Sequence, residues 1–183
     1  MPTRELDALA AGVGQSGVEM RVSLPADSGL LTVDPRIRPA SPDDVPCIEA
    51  LVNAAYRHYI PRIGKPPGPM TDDYSARVAE GAVWVLTIDG RIAGIVVLIP
   101  RSDYMLLDNV AVSPERQGTG LGRRLIGFAE AMAKENGFTE IQLYTNAAMH
   151  ENLTMYTRLG YREFARNLQD GFHRVFMKKQ LDF

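Results

Sequence analysis

Between an apolar run and a stretch with helical periodicity stands VSPERQGTGLGRRL, residues 112–125, with glycines at alternate positions 118, 120 and 122. A strand-to-helix junction of this kind narrows the folds open to the chain. The amides of a helix's first turn have no partner within the helix, and the helix dipole adds positive character there, so the junction is suited to a phosphate. Side chains would hold such a ligand off. The glycines remove them, while Gln117 and Arg123 or Arg124 supply hydrogen bonds and charge, which together predict a pyrophosphate ligand. A P-loop is excluded, because no Gly-Lys-Ser/Thr follows. The spacing is G-x-G-x-G rather than G-x-G-x-x-G, and hairpin signals on both sides break the βαβαβ repeat of a dinucleotide fold. Taken by themselves, the residues also allow a flexible turn with close helix–strand packing.

The elements around this junction follow from local chemistry. A short strand over 36–40 runs into Ser41, a natural N-cap followed by Pro42 and acidic residues, and a helix with Ile48, Leu51, Val52, Ala55 and Tyr59 on its apolar face. Cys47 reads as a small packing residue early in that helix. PRIGKPPGPM, 61–70, is too rich in Pro and Gly to be regular and is expected to line a site. A second helix is predicted over 71–80, ending at Gly81. AVWVLTI and RIAGIVVLI flank Asp89-Gly90, a hairpin signal, and YMLLDNVAV, 104–112, is a third strand in this run. A helix from about Gly120 to Asn136 follows, with Leu121, Leu125, Phe128, Ala129 and Met132 at helical spacing and Gly137 as its stop. TEIQLYT is the next strand; residues 147–159 make a last helix closed by Gly160; and a final hairpin turns at Asp170-Gly171. The fold class is therefore α/β (α+β): a mixed, mostly antiparallel twisted sheet of about seven strands with about four helices on both faces.

Residues 1–34 read as a flexible leader and 35–183 as a single domain. The chain of 183 residues carries 20 basic and 22 acidic side chains, a net charge of −2, so no overall field draws it to nucleic acid or an anionic membrane. The longest apolar run, 92–99, is too short to span a bilayer. One cysteine excludes an internal disulfide and suggests a reducing, cytoplasmic setting, and His58, His150 and His173 show no metal-ligand spacing, so no metal is expected.

VAVSPERQGTGLGRRL resembles the acyl-CoA pyrophosphate signature Q/R-x-x-G-x-G/A of the GNAT N-acetyltransferases, read here as Gln117, Gly118, Thr119, Gly120, Leu121 and Gly122. The order of elements from about 36 to 183 is similar to that family's, as are LDNVAV on the preceding strand and MYTRLGY, 155–161. The resemblance implies an acetyl-CoA-dependent N-acetyltransferase that moves the acetyl group directly to a primary amine, with a small-molecule acceptor and a possible homodimer. An acyl-CoA-binding sensor or partner module with little or no turnover is the alternative.

The resemblance carries roles onto single positions. The strand before the loop is expected to splay from its parallel neighbour, so that the main chain of Val110, Ala111 and Val112 bonds the pantetheine arm and one amide stabilises the oxyanion. Gln117 to Gly122 and Arg123 would hold the pyrophosphate. Tyr156 sits where the family has the tyrosine that protonates the departing thiolate, with Met149, Asn152, Leu153 and Tyr156 on one inward face; from the residues alone it reads rather as a core aromatic with a locally bonded hydroxyl. The family often has Asn seven residues before this tyrosine. That position is Met149 here, so Asn152 takes over the contact, orients the Tyr156 hydroxyl, or is a solvated helix residue. Asp108 is a candidate general base, its carboxyl raised by burial; a loop-fixing aspartate or a water chain are the other readings. Asn109 is expected on the opposite face of the strand. Glu115 is expected to face solvent. The acceptor site is expected among Tyr56, Tyr59, Arg62, Lys65 and Tyr74 with the final hairpin as a wall, Arg62 and Lys65 selecting a carboxylate-bearing acceptor or remaining solvated.

Overall fold

The computed structural model describes residues 35–182, and the leader expected over 1–34 lies outside the described residues. Seven strands form one sheet: β1 (Arg36–Pro39), β2 (Val83–Ile88), β3 (Arg91–Pro100), β4 (Met105–Val112), β5 (Glu140–Asn146), β6 (Arg162–Gln169) and β7 (Phe172–Gln180). Their spatial order is β1-β2-β3-β4-β5-β7-β6. Every neighbouring pair is antiparallel except β4 and β5, which are parallel. The four longer helices are α1 (Val45–Tyr56), α2 (Tyr74–Ala79), α3 (Leu121–Glu135) and α4 (His150–Arg158); Ile60–Ile63 adds a single turn.

Local chemistry sets the ends of these elements. Asp44 Oδ2 accepts from both the amide and the hydroxyl of Ser41, at 2.8 and 2.9 Å, and a 3-10 turn over Pro42–Asp44 leads into α1. Both hairpin turns, Asp89-Gly90 and Asp170-Gly171, place two consecutive residues at positive φ, the twist that antiparallel strands favour. Two helices start later than the sequence suggests. Asp73 caps α2 by accepting from the Ala76 amide at 2.9 Å, after a 3-10 turn over Gly68–Thr71. At α4, the Asn146 side chain accepts from the Ala148 amide, holding 146–148 as a turn before His150.

The sheet divides the core. On one face Ile48, Leu51, Val52, Ala55 and Tyr56 of α1 and Tyr74 and Val78 of α2 pack on Val83, Val85, Ile95 and Val97. On the other, Leu125, Ile126, Ala129 and Met132 of α3 and Tyr156 of α4 pack on Leu86, Val96, Leu98, Leu107 and Leu143. Phe128 is only half-buried and lies against Trp84, with ring centroids 5.0 Å apart. Cys47 is exposed, not a packing residue, because the buried positions of α1, Ile48, Leu51, Val52 and Ala55, share one face of the helix and Cys47 lies off it.

Two irregularities in β4 shape the site. Its register with β3 jumps from Val97↔Asn109 to Leu98↔Leu107, so Asp108 is an extra residue in a β-bulge. Its pairing with β5 covers only Met105↔Ile141, Leu106↔Gln142 and Leu107↔Leu143. Beyond Leu107 the two parallel strands part, while β5 stays paired with β7 through Asn146. The expected splay is present, and it opens a cleft in the middle of the sheet.

Candidate active site

A groove runs from the splay to the N-terminus of α3. Val110, Ala111 and Val112 form one wall, Gln117, Gly118, Gly120, Gly122 and Arg123 its floor, and Tyr59, Glu151 and Asn152 the side opposite. Gly118 and Gly120 have φ of +77° and +88°, in the left-handed region, and a Cβ at either would meet nothing within 4 Å. Their conformation favours glycine, and the space beside them is open for a ligand to approach the main chain. Gly122 is different: it lies inside α3, and a Cβ there would touch Val112 at 3.9 Å. The first helical bond of α3 runs from the Arg124 amide to the Gly120 carbonyl at 3.1 Å, which leaves the amides of the turn before it for a ligand.

Not every residue of the segment points into the groove. The Thr119 hydroxyl donates to the Arg116 carbonyl, and Leu121 is buried in the core. Gln117 Nε2 donates to the Val112 carbonyl at 3.2 Å, tying the loop back to the strand it leaves. The Arg124 guanidinium donates to the Pro35 carbonyl, so of the two arginines after the glycines Arg123 is the one that lines the groove, where Arg116, not singled out from sequence, joins it. Glu115 is exposed, as expected.

Behind the splay, on the α1 and α2 side, lies a cavity of 260 Å³. Tyr56, Val110 and Asn152 line both the cavity and the groove, so the two spaces meet at the parted end of β4. Tyr156 lines the cavity from α4. It is buried, packs edge-on against Tyr161 at 5.6 Å, and its hydroxyl bonds to no other described residue. Of the two sequence readings, the locally bonded core hydroxyl is therefore absent: the ring belongs to the core and the hydroxyl belongs to the cavity. Burial pushes the Tyr156 phenol well above its ordinary value, with Tyr59 adding in the same direction, so it holds its proton at neutral pH.

Asp108 lines the same cavity. Burial raises its carboxyl, and the Tyr144 hydroxyl, donating at 2.8 Å, and Arg77, 4.0 Å away, work against that rise. Asn109 does not face away from it. The bulge adds a residue to the strand and breaks the alternation, so Asp108 reaches Arg77 of α2 while Asn109 Nδ2 donates to the Tyr74 hydroxyl of the same helix at 2.9 Å. The Tyr74 hydroxyl in turn donates to the Pro69 carbonyl at 3.0 Å, and the Tyr56 hydroxyl donates to Asn109 Oδ1 at 2.6 Å and lies 3.1 Å from the Val110 carbonyl. This chain pins α1, α2 and the 61–70 loop to the splayed strand. Asn152 faces both spaces, with its amide 3.5 Å from Met149 Sδ.

Arg62 and Lys65 line neither space. Arg62 is bound to Glu151 at 2.8 and 3.0 Å, and Lys65 donates to the Asp170 carbonyl at 2.6 Å and sits over the Phe172 ring. They bridge the 61–70 segment to α4 and to the final hairpin, which closes the cavity with Phe172 and Arg174. The charged residues that do line it, Asp72, Arg77 and Arg174, and the Tyr144 hydroxyl on Asp108, were not singled out from sequence. Only a pairing of β4 with β5 brings Tyr144 beside Asp108, and nothing local in the sequence signals that. Among the described residues no three His, Cys, Asp or Glu side chains converge as metal ligands, and no helix is long and apolar enough to cross a membrane.

Residues 79–163, which run from the end of α2 to the start of β6, match the family model described as "Acetyltransferase (GNAT) domain". This stretch of the chain thus matches a GNAT acetyltransferase domain. N-acetyltransferase 8F1 of Rattus norvegicus is 24% identical over 103 residues, covering 53% of this chain and 47% of that protein. The uncharacterized N-acetyltransferase YjgM of Escherichia coli strain K12 is 31% identical over 84 residues, covering 44% and 50%. The chain thus spans about half the length of the curated relatives it matches. In fold it is similar to the ribosomal-protein-S18-alanine N-acetyltransferase of Escherichia coli, with a TM-score of 0.67 at 21% identity over 82% of this chain and 96% of that one. It is also similar to the paia N-acetyltransferase of Thermoplasma acidophilum in complex with coenzyme A, with a TM-score of 0.68 at 16% identity over 80% and 99%. The GNAT fold is the arrangement described above: a mixed seven-stranded sheet that parts between its two parallel strands.

Proposed function

We propose that this protein is an acetyl-CoA-dependent N-acetyltransferase that passes the acetyl group directly to a primary amine of a small acceptor. The observation that carries the reading is the meeting of groove and cavity at the parted end of β4, with the Tyr156 hydroxyl and the Asp108 carboxylate both on the cavity wall. The residues of the groove fit coenzyme A: two glycines at positive φ with open space beside them, a free helix N-terminus, and an arginine for the diphosphate. When bound, acetyl-CoA supplies an activated thioester.

The chain's own residues then have separable tasks. Gly118, Gly120 and Gly122 present amides to the pyrophosphate, Gln117 braces the loop, and Arg123 adds charge. The main chain of Val110 to Val112 lies along the pantetheine path, where an amide directed at the carbonyl oxygen stabilises negative charge as it develops. The Val110 and Val112 carbonyls already have the Tyr56 hydroxyl and Gln117 Nε2 nearby, and the bond from the Ser113 amide to the Ala93 carbonyl sets a register in which Ala111 pairs with β3, so the arm's contacts fall chiefly on the amides of Val110 and Val112. Asp108 accepts a proton from the acceptor's ammonium, which is not nucleophilic until it loses one. Tyr156, held neutral by burial, donates its proton toward the departing sulfur. No Ser or Cys nucleophile is required, in keeping with an exposed Cys47 remote from these residues in sequence and outside both spaces.

A cavity of this size suits a small amine or the terminal group of a larger one. Calorimetric titration with acetyl-CoA, followed by thiol release across a panel of primary amines, tests the reading. Tyr156→Phe is expected to lower kcat by about 100-fold with acetyl-CoA affinity within about twofold of the parent. Tight binding with no amine-dependent thiol release would instead assign the chain as an acyl-CoA-binding module.

A further inference from the structure

Asp108 holds its two oxygens in unlike surroundings. Oδ1 accepts a 2.8 Å hydrogen bond from the Tyr144 hydroxyl, whereas the nearest cation to Oδ2 is Arg77 Nη2 at 4.0 Å, beyond hydrogen-bonding distance. Arg77 has closer company: its Nε lies 3.1 Å from Asp72 Oδ2 and its Nη1 3.8 Å from Glu80. Three carboxylates share one guanidinium, and Asp72 has the short bond. The Tyr144 ring is itself fixed, with the Arg174 guanidinium 4.5 Å above its centroid and Phe176 against it at 6.1 Å. Arg174 is anchored in turn by Gln169 at 3.1 Å and Asp170 at 3.7 Å on the final hairpin.

We propose that Tyr144 and Asp72 are positioning residues that keep Asp108 a base with one open oxygen: Tyr144 occupies Oδ1 and aims the carboxylate into the cavity, and Asp72 draws Arg77 off Oδ2. The bulge supplies the geometry, because it turns Asp108 toward α2 while leaving it beside β5. An Arg77 closed onto Oδ2 would make a two-point ion pair, stabilise the charged form and remove the oxygen that an ammonium must reach. The remaining groups that face Asp108 are Arg101 at the end of β3, which favours its charged form, and the Tyr56 and Tyr74 phenols of α1 and α2, both neutral. Neither Arg101 nor the phenols offers Oδ2 a hydrogen bond. This inference rests on the reading of Asp108 as the proton acceptor, and it adds the two residues that make that role possible.

The two positioning residues act with opposite signs, which separates them from a general structural role. Tyr144→Phe removes a donor to the carboxylate and raises the pH at which Asp108 ionises. Asp72→Asn removes a negative neighbour and releases Arg77 toward Oδ2, so it lowers that pH. The test uses full-length protein isotope-labelled at the aspartate carboxyl carbons, with the Asp108 signal identified by its loss in Asp108→Asn. Its titration midpoint is expected to rise in Tyr144→Phe and fall in Asp72→Asn. The acid limb of kcat/KM, measured with the primary amine that gives the fastest thiol release, follows in the same two directions, and below that limb Tyr144→Phe loses about tenfold in kcat/KM. Midpoints that stay put, or move together, overturn the proposal. Should the midpoints move as expected while Asp108→Asn turns over like the parent, the assignment of Asp108 as base fails and the carboxylate's positioning stands.

Discussion

At the scale of single residues, the site depends on what is missing as much as on what is present. Gly120 is the N-cap of α3 at φ +88°, with nothing within 4 Å of the place a Cβ would occupy. Alanine there meets no clash, but it carries the cost of a left-handed backbone, about 1 kcal/mol. Glutamate carries that cost and also sets a negative charge where the diphosphate would lie. Gly120→Glu is therefore expected to weaken acetyl-CoA binding by at least about 100-fold while the protein remains folded, as read by calorimetry alongside a thermal melt. Parent-like affinity in that variant would remove the diphosphate from this loop. Tyr156 makes the complementary point: its ring is held by Tyr161 and the core, so that a hydroxyl without a partner among the described residues is still held in place.

Among the elements, β4 is the one on which the others converge. It pairs fully with β3, pairs with β5 for only three residues, and carries a bulge between the two regimes. What keeps α3 seated while the sheet opens is close contact on the β3 side. A Cβ on Gly94 would stand 2.9 Å from Leu125 Cδ1 and 3.1 Å from the Ala111 carbonyl, so the helix and the strand approach through the space a side chain would need. Gly94→Val is expected to destabilise the fold by about 1–3 kcal/mol through overpacking. Because the displaced groups are the helix that presents the loop amides and the strand that carries Val110 and Val112, acetyl-CoA affinity should fall with it. Denaturant unfolding and calorimetry on the same variant check both effects; a loss of stability with unchanged affinity would show that the groove tolerates movement of α3.

For the whole molecule, the order of strands and helices was legible in sequence because each element carries its own marks: Asp89-Gly90 and Asp170-Gly171 at the hairpins, Gly137 and Gly160 after the helices, and alternate glycines before α3. The loop that floors the groove was legible for the same reason, since Val110 to Arg123 are continuous in the chain, although Arg116 within it carried no mark and Thr119 and Leu121 turn away from the groove. What was not legible depends on pairings between distant segments. The bulge at Asp108 arises from register with β3, the bond from Tyr144 from the brief pairing of β4 with β5, and the diversion of Arg62 and Lys65 from contacts with α4 and the final hairpin. Local periodicity assumes regular alternation, and so it placed Asn109 on the wrong face.

The same distant pairings make Asp108 a cost to the folded molecule, and the sign can be worked out. Burial lifts its carboxyl above the ordinary value, so the folded state binds that proton more tightly than the unfolded chain does. The stabilisation from protonation is fully present below the unfolded value and is lost as pH rises through the folded one. Asp44 has the opposite sign, since its ion pair with Arg38 holds it well below the usual carboxylate range and its contribution is lost only in acid. Once ionised, Asp108 is a buried charge whose Oδ2 accepts no hydrogen bond from the other described residues. Asp108→Asn keeps an oxygen for the Tyr144 hydroxyl and removes the charge. It is expected to raise Tm by about 2–4 °C at pH 7, with the gain shrinking as pH falls, while turnover with any amine drops sharply. Thermal melts of parent and variant across pH 4 to 8 check this; a variant that melts lower at pH 7 would mean that Arg77 and Arg101 already more than offset the burial, and Asp108 would then be a structural ion rather than a base held at a cost to stability.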